Sequence, residues 1–255
     1  MWPFKKRKYS ISGSGLLKDM TDCHCHILPG VDDGIQTMEE AIATLHELSN
    51  QGVRRIWLTP HVMEDIPNTP SDLRTRFQLL LDNYHQSCMT EESRPKIELH
   101  LAAEHMIDNL FVERLKANEV LPYSNKKDRV LLVETSYYNP PMHLYDTIED
   151  IRSKGYIPLL AHPERYVYMH TPNYHHLNEM GVKFQLNLLS LLGAYGGDAV
   201  RKSHKLLAAG LYTACGTDLH NLDDFMSYAT EECLSAQDIE VLRELCLRST
   251  AFFSE

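Results

Sequence analysis

The stretch DCHCHILPGVDDG (residues 22–34) places several residues that can bind a metal ion directly after a short apolar run. His24 and His26 are separated by one residue, and the acidic pair Asp32 and Asp33 follows shortly afterwards. An H-x-H pair is a weak signal on its own in a chain with 14 histidines. The remainder of the sequence therefore has to decide whether this stretch belongs to a metal site.

Around this stretch, short apolar runs alternate with amphipathic helical patterns. The predicted strands lie at about 18–23, 54–61, 97–104, 129–136, 156–162, 182–190 and 211–218. The predicted helices lie at about 37–51, 71–88, 106–117, 143–154, 174–180, 197–209 and 236–249. Apolar strands that are each followed by a helix are typical of a parallel sheet buried on both faces. About seven such units in 255 residues predict an α/β fold, a distorted (β/α)7 TIM-like barrel.

Composition limits the possible partners and compartments. A formal net charge of −10 leaves no domain-wide basic face, so we expect no nucleic-acid partner. Six cysteines without a regular framework and no export signal predict reduced thiols and a cytoplasmic protein. No apolar run is long enough to predict a transmembrane segment. The sequence leaves the oligomeric state open.

The chain is expected to divide into a basic, flexible N-terminal tail (residues 1–17) and one large domain (residues 18–255). The tail contains Trp2 and Phe4 beside KKRK, which leaves open a weak contact with a membrane surface.

Ligand-type side chains lie at or just after the ends of nearly all predicted strands. They are His24 and His26, His61, Glu104, Glu134, His162, and Asp218 with His220, and Asp33 follows in the first loop. In parallel barrels the carboxyl ends of the strands build the active site, so these side chains should meet at one rim. Imidazole and carboxylate ligands without thiolate suit Mn²⁺, Fe²⁺ or Zn²⁺. Asn187 ends the sixth strand at the same rim, where it either contacts substrate or bound water or simply forms a turn.

The arrangement resembles the polymerase-and-histidinol-phosphatase (PHP) superfamily, and within it the bacterial capsule-type, manganese-dependent protein-tyrosine phosphatases. The motifs that carry the resemblance are DCHCHILPGVDDG (22–34), TPH (59–61), AAEH (102–105), LLVETS (131–136), AHPERY (161–166), QLNLLS (185–190) and GTDLHN (216–221). They span nearly the whole chain after residue 18. The resemblance implies a PHP-type barrel.

The resemblance also implies a division of the ligands among two or three ions, with manganese expected and iron or zinc as alternatives. The three implied ligand sets are His24, His26, Glu104 and Asp218; Glu104, Glu134 and His162; and Asp33, His61 and His220. Arg165 is similar to the family's phosphate-binding arginine. Arg165, Asp218 and His220 are therefore the expected catalytic residues, and Arg165 and Asn187 the expected contacts to substrate.

One departure concerns the segment HNLDDF (220–225). Family members often carry an arginine a few residues after the D-x-H-N motif, whereas this chain has Asp223, Asp224 and Phe225 there. The residue that replaces this arginine is left open.

The resemblance predicts hydrolysis of phosphotyrosine in a protein by metal-activated hydroxide. The implied substrate is a bacterial tyrosine autokinase that controls capsule or exopolysaccharide synthesis. Two alternatives stay open, a small-molecule phosphoesterase such as histidinol phosphatase and a non-catalytic metal-binding regulatory module. A related amidohydrolase is disfavoured because no lysine ends a predicted strand.

A second phosphatase pattern, the C-x5-R spacing of Cys88 and Arg94, is interpreted as accidental. Glu91 and Glu92 would repel a phosphate there, and Cys88 ends a predicted helix rather than preceding one. Cys23 and Cys25, which alternate with the first histidines, are expected to pack as small apolar side chains.

Overall fold

The computed structural model describes residues 7–89, 96–124 and 129–254. Its strands are β1 (Thr21–Cys25), β2 (Arg55–Leu58), β3 (His61–Val62), β4 (Glu98–Leu101), β5 (Glu104–Met106), β6 (Tyr123–Ser124), β7 (Arg129–Glu134), β8 (Tyr156–Leu160), β9 (Lys183–Asn187) and β10 (Tyr212–Gly216). Its α-helices are α1 (Met38–Asn50), α2 (Pro70–Met89), α3 (Asn109–Ala117), α4 (Leu144–Ser153), α5 (Thr171–Glu179), α6 (Gly196–Ala208), α7 (Leu222–Ala229) and α8 (Ala236–Ser254). Short 3-10 helices follow β8 at Pro163–Arg165 and β9 at Leu188–Leu192.

Local signals account for where several helices begin. Thr37 caps α1, because its hydroxyl accepts a hydrogen bond from the Glu40 backbone while the Glu40 carboxylate accepts one from the Thr37 backbone. Asp108 caps α3 through the backbone of Phe111. The predicted alternation of strands and helices is therefore confirmed in its main features.

The strands form two sheets. One has the order β1-β2-β4 and the other β10-β9-β8-β7-β5-β3, and the neighbouring strands in both are parallel. β6 adds an antiparallel edge beside β7. The buried faces carry mainly Val, Leu, Ile and Ala, as expected for a sheet covered by helices. The mixed α/β fold with parallel sheets is confirmed, whereas the described strands do not pair into one closed barrel.

Two predicted strands, 54–61 and 97–104, are each broken into two, which corrects the expected count of seven. Pro60 separates β2 from β3, because proline has no N–H to donate within a sheet. Ala102 and Ala103 separate β4 from β5 at the same level. The first halves pair with each other in the small sheet and the second halves in the large sheet. His61 and Glu104 thus each begin a short strand rather than end a long one.

The two sheets meet where β1 and β10 end. The backbone N–H of Asp218 donates to the His24 carbonyl at 2.7 Å, and that of His26 donates to the Leu219 carbonyl at 2.9 Å. A side chain at Gly216 would clash here, because a Cβ atom would lie 2.7 Å from Cβ of His24. This contact brings the first and last metal-ligand motifs of the sequence side by side.

Two further observations differ from the sequence predictions. Part of the segment expected to be a flexible tail is packed, since Ile11, Leu16 and Leu17 are buried and Tyr9 pairs with Leu234. The burial of these apolar side chains explains the difference. Residues 1–6 lie outside the described residues. The domain boundary at residue 18 stays a prediction. Helix α7, capped by Asn221, was not predicted.

In the described part of the chain, none of the helices combines the length and the apolar character that a membrane span requires.

Candidate metal centre

The predicted ligand residues lie around one largely buried space, most of them at or after the carboxyl end of a strand, whereas His61 and Glu104 begin β3 and β5. They come from β1 and the loop after it, from β3, β5 and β7, and from the turns after β8 and β10. Asp33 and His220 are the more open members, with side chains 68% and 31% exposed. The others are buried: His24, His26, His61, Glu104, Glu134, His162 and Asp218.

The first group consists of His24, His26, Glu104 and Asp218, each of which offers a ligand atom within 4.8 Å of the others. Nε2 of His24 lies 3.1 Å from Oε2 of Glu104 and 3.4 Å from Oδ1 of Asp218. Nε2 of His26 lies 3.3 Å from each of the same two oxygens. This group has the same members as the first implied ligand set.

The second group consists of His61, Glu104 and Glu134. Nδ1 of His61 lies 3.2 Å from Oε2 of Glu104 and 3.0 Å from Oε1 of Glu134. The implied set had His162 in this place. Nε2 of His162 is 3.0 Å from Oε1 of Glu104 but 3.9 Å from Oε2 of Glu134, so His162 borders the group.

The third group consists of His26, Asp33, His61 and His220. Oδ1 of Asp33 lies 3.4 Å from Nε2 of His220 and 3.6 Å from Nε2 of His61. It contains the third implied set, with His26 added. The groups share His26, His61 and Glu104, so they form one continuous cluster rather than separate sites.

The chemistry of this cluster fits divalent metal ions. Three buried ligand atoms of the cluster make no hydrogen bond: Nδ1 of His61, Oε2 of Glu104 and Oε1 of Glu134. Nδ1 of His61 lies 3.2 Å from the Glu104 oxygen and 3.0 Å from the Glu134 oxygen without hydrogen-bond geometry. Burying polar atoms in this way is costly unless a ligand satisfies them. Nitrogen and carboxylate oxygen donors together are a set that Mn²⁺, Fe²⁺ and Zn²⁺ accept.

The charges in the cluster are strongly coupled. Burial by itself would lower the pKa of His24, but the carboxylates of Glu104 and Asp218 raise it to about 9. Burial would likewise raise the pKa of Glu104, but His24 and His61 hold it well below its usual range. A cation would replace the protons on these histidines and keep the carboxylates ionised.

Two side chains outside the ligand set hold ligand histidines in place. Oε1 of Gln185 lies 3.0 Å from Nδ1 of His24 and accepts a hydrogen bond from the His162 backbone at 3.1 Å. Oδ2 of Asp32 lies 2.8 Å from Nδ1 of His26 and accepts from the His61 backbone at 3.0 Å. Both contacts leave Nε2 of the histidine facing the cluster, as such partners commonly do for metal ligands.

Asp22, the residue that opens the first motif, connects two strands rather than orienting a ligand histidine. Its carboxylate accepts hydrogen bonds from the backbone and hydroxyl of Thr217 and from the backbone of His24. Asp22 therefore joins β1 to the end of β10 and does not touch an imidazole ring.

Arg165 lies beside the cluster in a cage of aromatic rings. Its Nη1 donates to Oδ2 of Asp218 at 2.7 Å. Its guanidinium carbon lies 4.0 Å from the ring centre of Tyr195 and 4.5 Å from that of Tyr137, a double cation–π contact. Asn187 donates to the same Asp218 oxygen at 2.7 Å and to the Tyr195 hydroxyl at 3.1 Å.

The sequence did not predict Gln185, Tyr137 or Tyr195 as site residues. Gln185 had a readable signal, since it precedes Asn187 by two positions in a strand and must face the same side. Tyr137 and Tyr195 lie in loops, where no periodicity indicates the direction of a side chain. Asn187 also caps the following 3-10 helix through the Leu189 backbone, so its role as a substrate contact stays a prediction.

The cysteines of the first motif and His105 of the AAEH motif do not contribute to the cluster. Cys23 and Cys25 are buried and donate to backbone carbonyls, as expected for core residues. His105 is held by the backbone of Leu132 and Leu121, and burial lowers its pKa to about 4. Of the C-x5-R pattern, Arg94 falls outside the described residues.

Fold and site together define an α/β protein with a candidate polynuclear metal centre of nitrogen and oxygen ligands at one end of its parallel sheets. A family model described as "Capsular polysaccharide synthesis, CpsB/CapC" matches residues 20–237. The chain belongs to this family.

Characterised relatives agree with that assignment. The chain is 29% identical over 231 residues to tyrosine-protein phosphatase YwqE of Bacillus subtilis. This match covers 89% of this chain and 87% of that protein. It is 27% identical over 215 residues to tyrosine-protein phosphatase CpsB of Streptococcus agalactiae. That match covers 80% of this chain and 84% of that protein.

Two solved structures extend the comparison. One comes from a study of YwqE from B. subtilis and CpsB from Streptococcus pneumoniae, which are described as unique metal-dependent tyrosine phosphatases. It has a TM-score of 0.70 and 27% sequence identity, and the match covers 90% of this chain and 95% of that chain. An amidohydrolase from Burkholderia ambifaria with bound Zn has a TM-score of 0.50 and 11% identity, over 93% of this chain and 87% of that chain. This second likeness shows the fold alone.

Proposed function

We propose that this protein is a metal-dependent protein-tyrosine phosphatase, a phosphoric monoester hydrolase. The observation that carries the proposal is the continuous cluster of histidines and carboxylates with Arg165 fixed beside it through Asp218. Relatives named tyrosine-protein phosphatase that align over most of their length support it. The ligands we propose are His24, His26, Asp33, His61, Glu104, Glu134, His162, Asp218 and His220.

The residues around the cluster have distinct parts in the proposed reaction. Divalent cations, when bound, make water nucleophilic at neutral pH and offset the charge of a phosphate ester. Arg165 has N–H groups beyond the one used on Asp218 and can bind phosphoryl oxygens with them. Tyrosine leaves as a phenol with a pKa near 10, which reduces the need for a strong general acid. Asp218 both offers a ligand atom and anchors Arg165, so it couples the metal centre to phosphate binding.

We propose manganese as the resident metal, in two or three copies, with iron or zinc as alternatives. All three metals accept the mixed imidazole and carboxylate donors found here, and the described cysteine sulfurs lie outside the cluster. The donor set thus supports a first-row divalent metal, while the choice among the three rests on the resemblance.

We propose a bacterial tyrosine kinase that controls capsule or exopolysaccharide synthesis as the physiological substrate, in the cytoplasm. The support is the family's description and the names of the relatives. Recognition should be local, because a protein of net charge −10 repels a phosphorylated partner at longer range.

We further propose that the two sheets enclose one distorted barrel of the PHP type. The hydrogen bonds between the ends of β1 and β10 support this arrangement, as does the continuation of β2 into β3 and of β4 into β5 across the sheet boundary.

The test is phosphate release from a phosphotyrosyl peptide and from histidinol phosphate, measured side by side on the manganese-loaded protein and after chelation. We expect the peptide to be the better substrate and chelation to abolish its hydrolysis, with activity restored by Mn²⁺. Preference for histidinol phosphate would favour the small-molecule phosphoesterase. A metal-loaded protein that hydrolyses neither compound would indicate a non-catalytic regulatory module.

A further inference from the structure

An open cavity of about 480 Å³ adjoins the candidate metal centre, and its lining is short of positive charge. Among the described residues that line it, Arg165 is the one with a permanent positive charge, while Asp33, Asp218 and Asp224 bring carboxylates. Asp224 belongs to the segment HNLDDF, which places no lysine or arginine in this wall. Apart from the metal ions proposed in the cluster, Arg165 is thus the main group in this wall that attracts a phosphate ester, and a further hydrogen-bond donor beside it would strengthen phosphate binding.

Tyr195 lines this cavity and has a hydroxyl proton to offer. Its oxygen accepts a hydrogen bond from Nδ2 of Asn187 at 3.1 Å, and no hydrogen bond within the described residues uses its own proton. Burial raises the pKa of Tyr195 to about 12, so the hydroxyl keeps its proton at neutral pH. It is thus a neutral donor in a wall otherwise rich in carboxylates.

The position of Tyr195 is tied to the catalytic groups. Its ring lies 4.0 Å from the guanidinium carbon of Arg165, and Asn187 links its hydroxyl to Oδ2 of Asp218, the same oxygen that binds Arg165. The loop is also shaped around it, because Gly193 and Gly196 take φ values of +90° and +82° that residues with side chains rarely adopt. Ring and hydroxyl are therefore held in a fixed relation to Arg165.

We propose that the Tyr195 hydroxyl donates a hydrogen bond to a phosphoryl oxygen of the substrate, next to the Arg165 guanidinium. The inference rests on the proposed phosphatase function and adds to it a second donor for the phosphoryl group. Tyr195 acts on an oxygen that stays on phosphorus, and the tyrosine that leaves does not take its proton from it.

The variant Tyr195→Phe tests this directly, because it removes the hydroxyl and keeps the ring against Arg165. Tyr228→Phe is the matched control, since Tyr228 lines the same cavity without contacting Arg165 or Asn187. Both proteins are loaded with Mn²⁺, and their metal content is compared with that of the wild type. The probes are inorganic phosphate, followed by calorimetry, and two aryl phosphates, phenyl phosphate and p-nitrophenyl phosphate.

We expect Tyr195→Phe to keep its metal, to bind inorganic phosphate about tenfold more weakly and to lose about ten- to a hundredfold in kcat/KM, equally for both esters. Tyr228→Phe should stay within about twofold of the wild type in each measurement.

Three results would overturn the inference. They are unchanged phosphate affinity in Tyr195→Phe, a much larger loss on phenyl phosphate than on p-nitrophenyl phosphate, and loss of metal from the variant. The second would make Tyr195 a donor to the leaving group, and the third a support for the metal centre. If the wild type hydrolyses neither ester, the proposed function fails, whereas the phosphate titration still tests Tyr195.

Discussion

At the scale of single residues, the candidate metal centre depends on side chains that are not themselves ligands. Oε1 of Gln185 accepts from Nδ1 of His24, so Nε2 is the nitrogen of this histidine that faces Glu104 and Asp218. The tautomer and ring orientation of a metal-binding histidine are set by such a contact.

Replacing Gln185 with leucine should weaken metal binding by about ten- to a hundredfold. The change keeps the approximate side-chain volume but leaves N–H groups of His24 and His162 without their acceptor. Titration of the metal-free protein with Mn²⁺ gives the affinity. Gln78→Leu, on the exposed face of α2, is the control and should bind like the wild type. Equal affinities for the two variants would contradict this role of Gln185.

Metal binding should also release protons at neutral pH. The pKa of His24 in the metal-free protein is about 9, so His24 carries a proton at pH 7 that an incoming cation must displace. Because the bound proton competes with the metal, affinity should rise with pH up to about 9, by about tenfold per pH unit for each proton released. Calorimetry of Mn²⁺ binding at pH 7 in buffers of different ionisation enthalpy measures the protons. Heats that do not depend on the buffer would contradict the expectation.

Which residues could be predicted follows from their position in the chain. His61, Glu104 and Glu134 were found because they lie near strand boundaries, which hydrophobic patterns reveal. Tyr137 and Tyr195 escaped prediction because loops fix a side chain only through distant contacts, here with Arg165.

At the scale of elements, the junction of β1 with β10 brings the first and last ligand motifs together. Gly216 allows it, since a Cβ atom at this position would lie 2.9 Å from the backbone nitrogen of His24. The sequence indicated both strands but not their contact, because pairing between residues about 190 positions apart leaves no local pattern.

Gly216→Ala should therefore destabilise the fold by about 1–3 kcal/mol and weaken metal binding. The added Cβ would lie 2.7 Å from Cβ and 2.9 Å from the backbone nitrogen of His24, so one of the two strands must move. Chemical denaturation gives the free energy of unfolding. Gly197→Ala is the control, because its Cβ would meet only Nη1 of Arg201 at 3.6 Å. It should be neutral or stabilising by up to about 1 kcal/mol. A Gly216→Ala protein as stable as this control would refute the packing argument.

The breaks in the second and third predicted strands show a limit of predicting strands from hydrophobic patterns. Pro60 was visible in the sequence, but the pattern does not reveal that the second halves of both strands pair in the other sheet. Helix α7 was also missed, although Asn221 caps it.

At the scale of the whole molecule, residues spread from His24 to His220 converge in one buried cluster. This convergence was predictable, because parallel strands place their carboxyl ends on the same side of a sheet. The division of the strands into two sheets was not, because it depends on which distant backbones pair. The ligand groups differ from the expected ones for the same reason, with His61 rather than His162 between Glu104 and Glu134.

The measurement that tests the account most directly is a crystal structure of the protein grown with Mn²⁺, with anomalous scattering used to locate the ions. We predict two or three anomalous peaks within the cluster, one of them bounded by His24, His26, Glu104 and Asp218. A structure in which this cluster holds no metal at saturating Mn²⁺, or in which the ions bind elsewhere on the chain, would contradict the account.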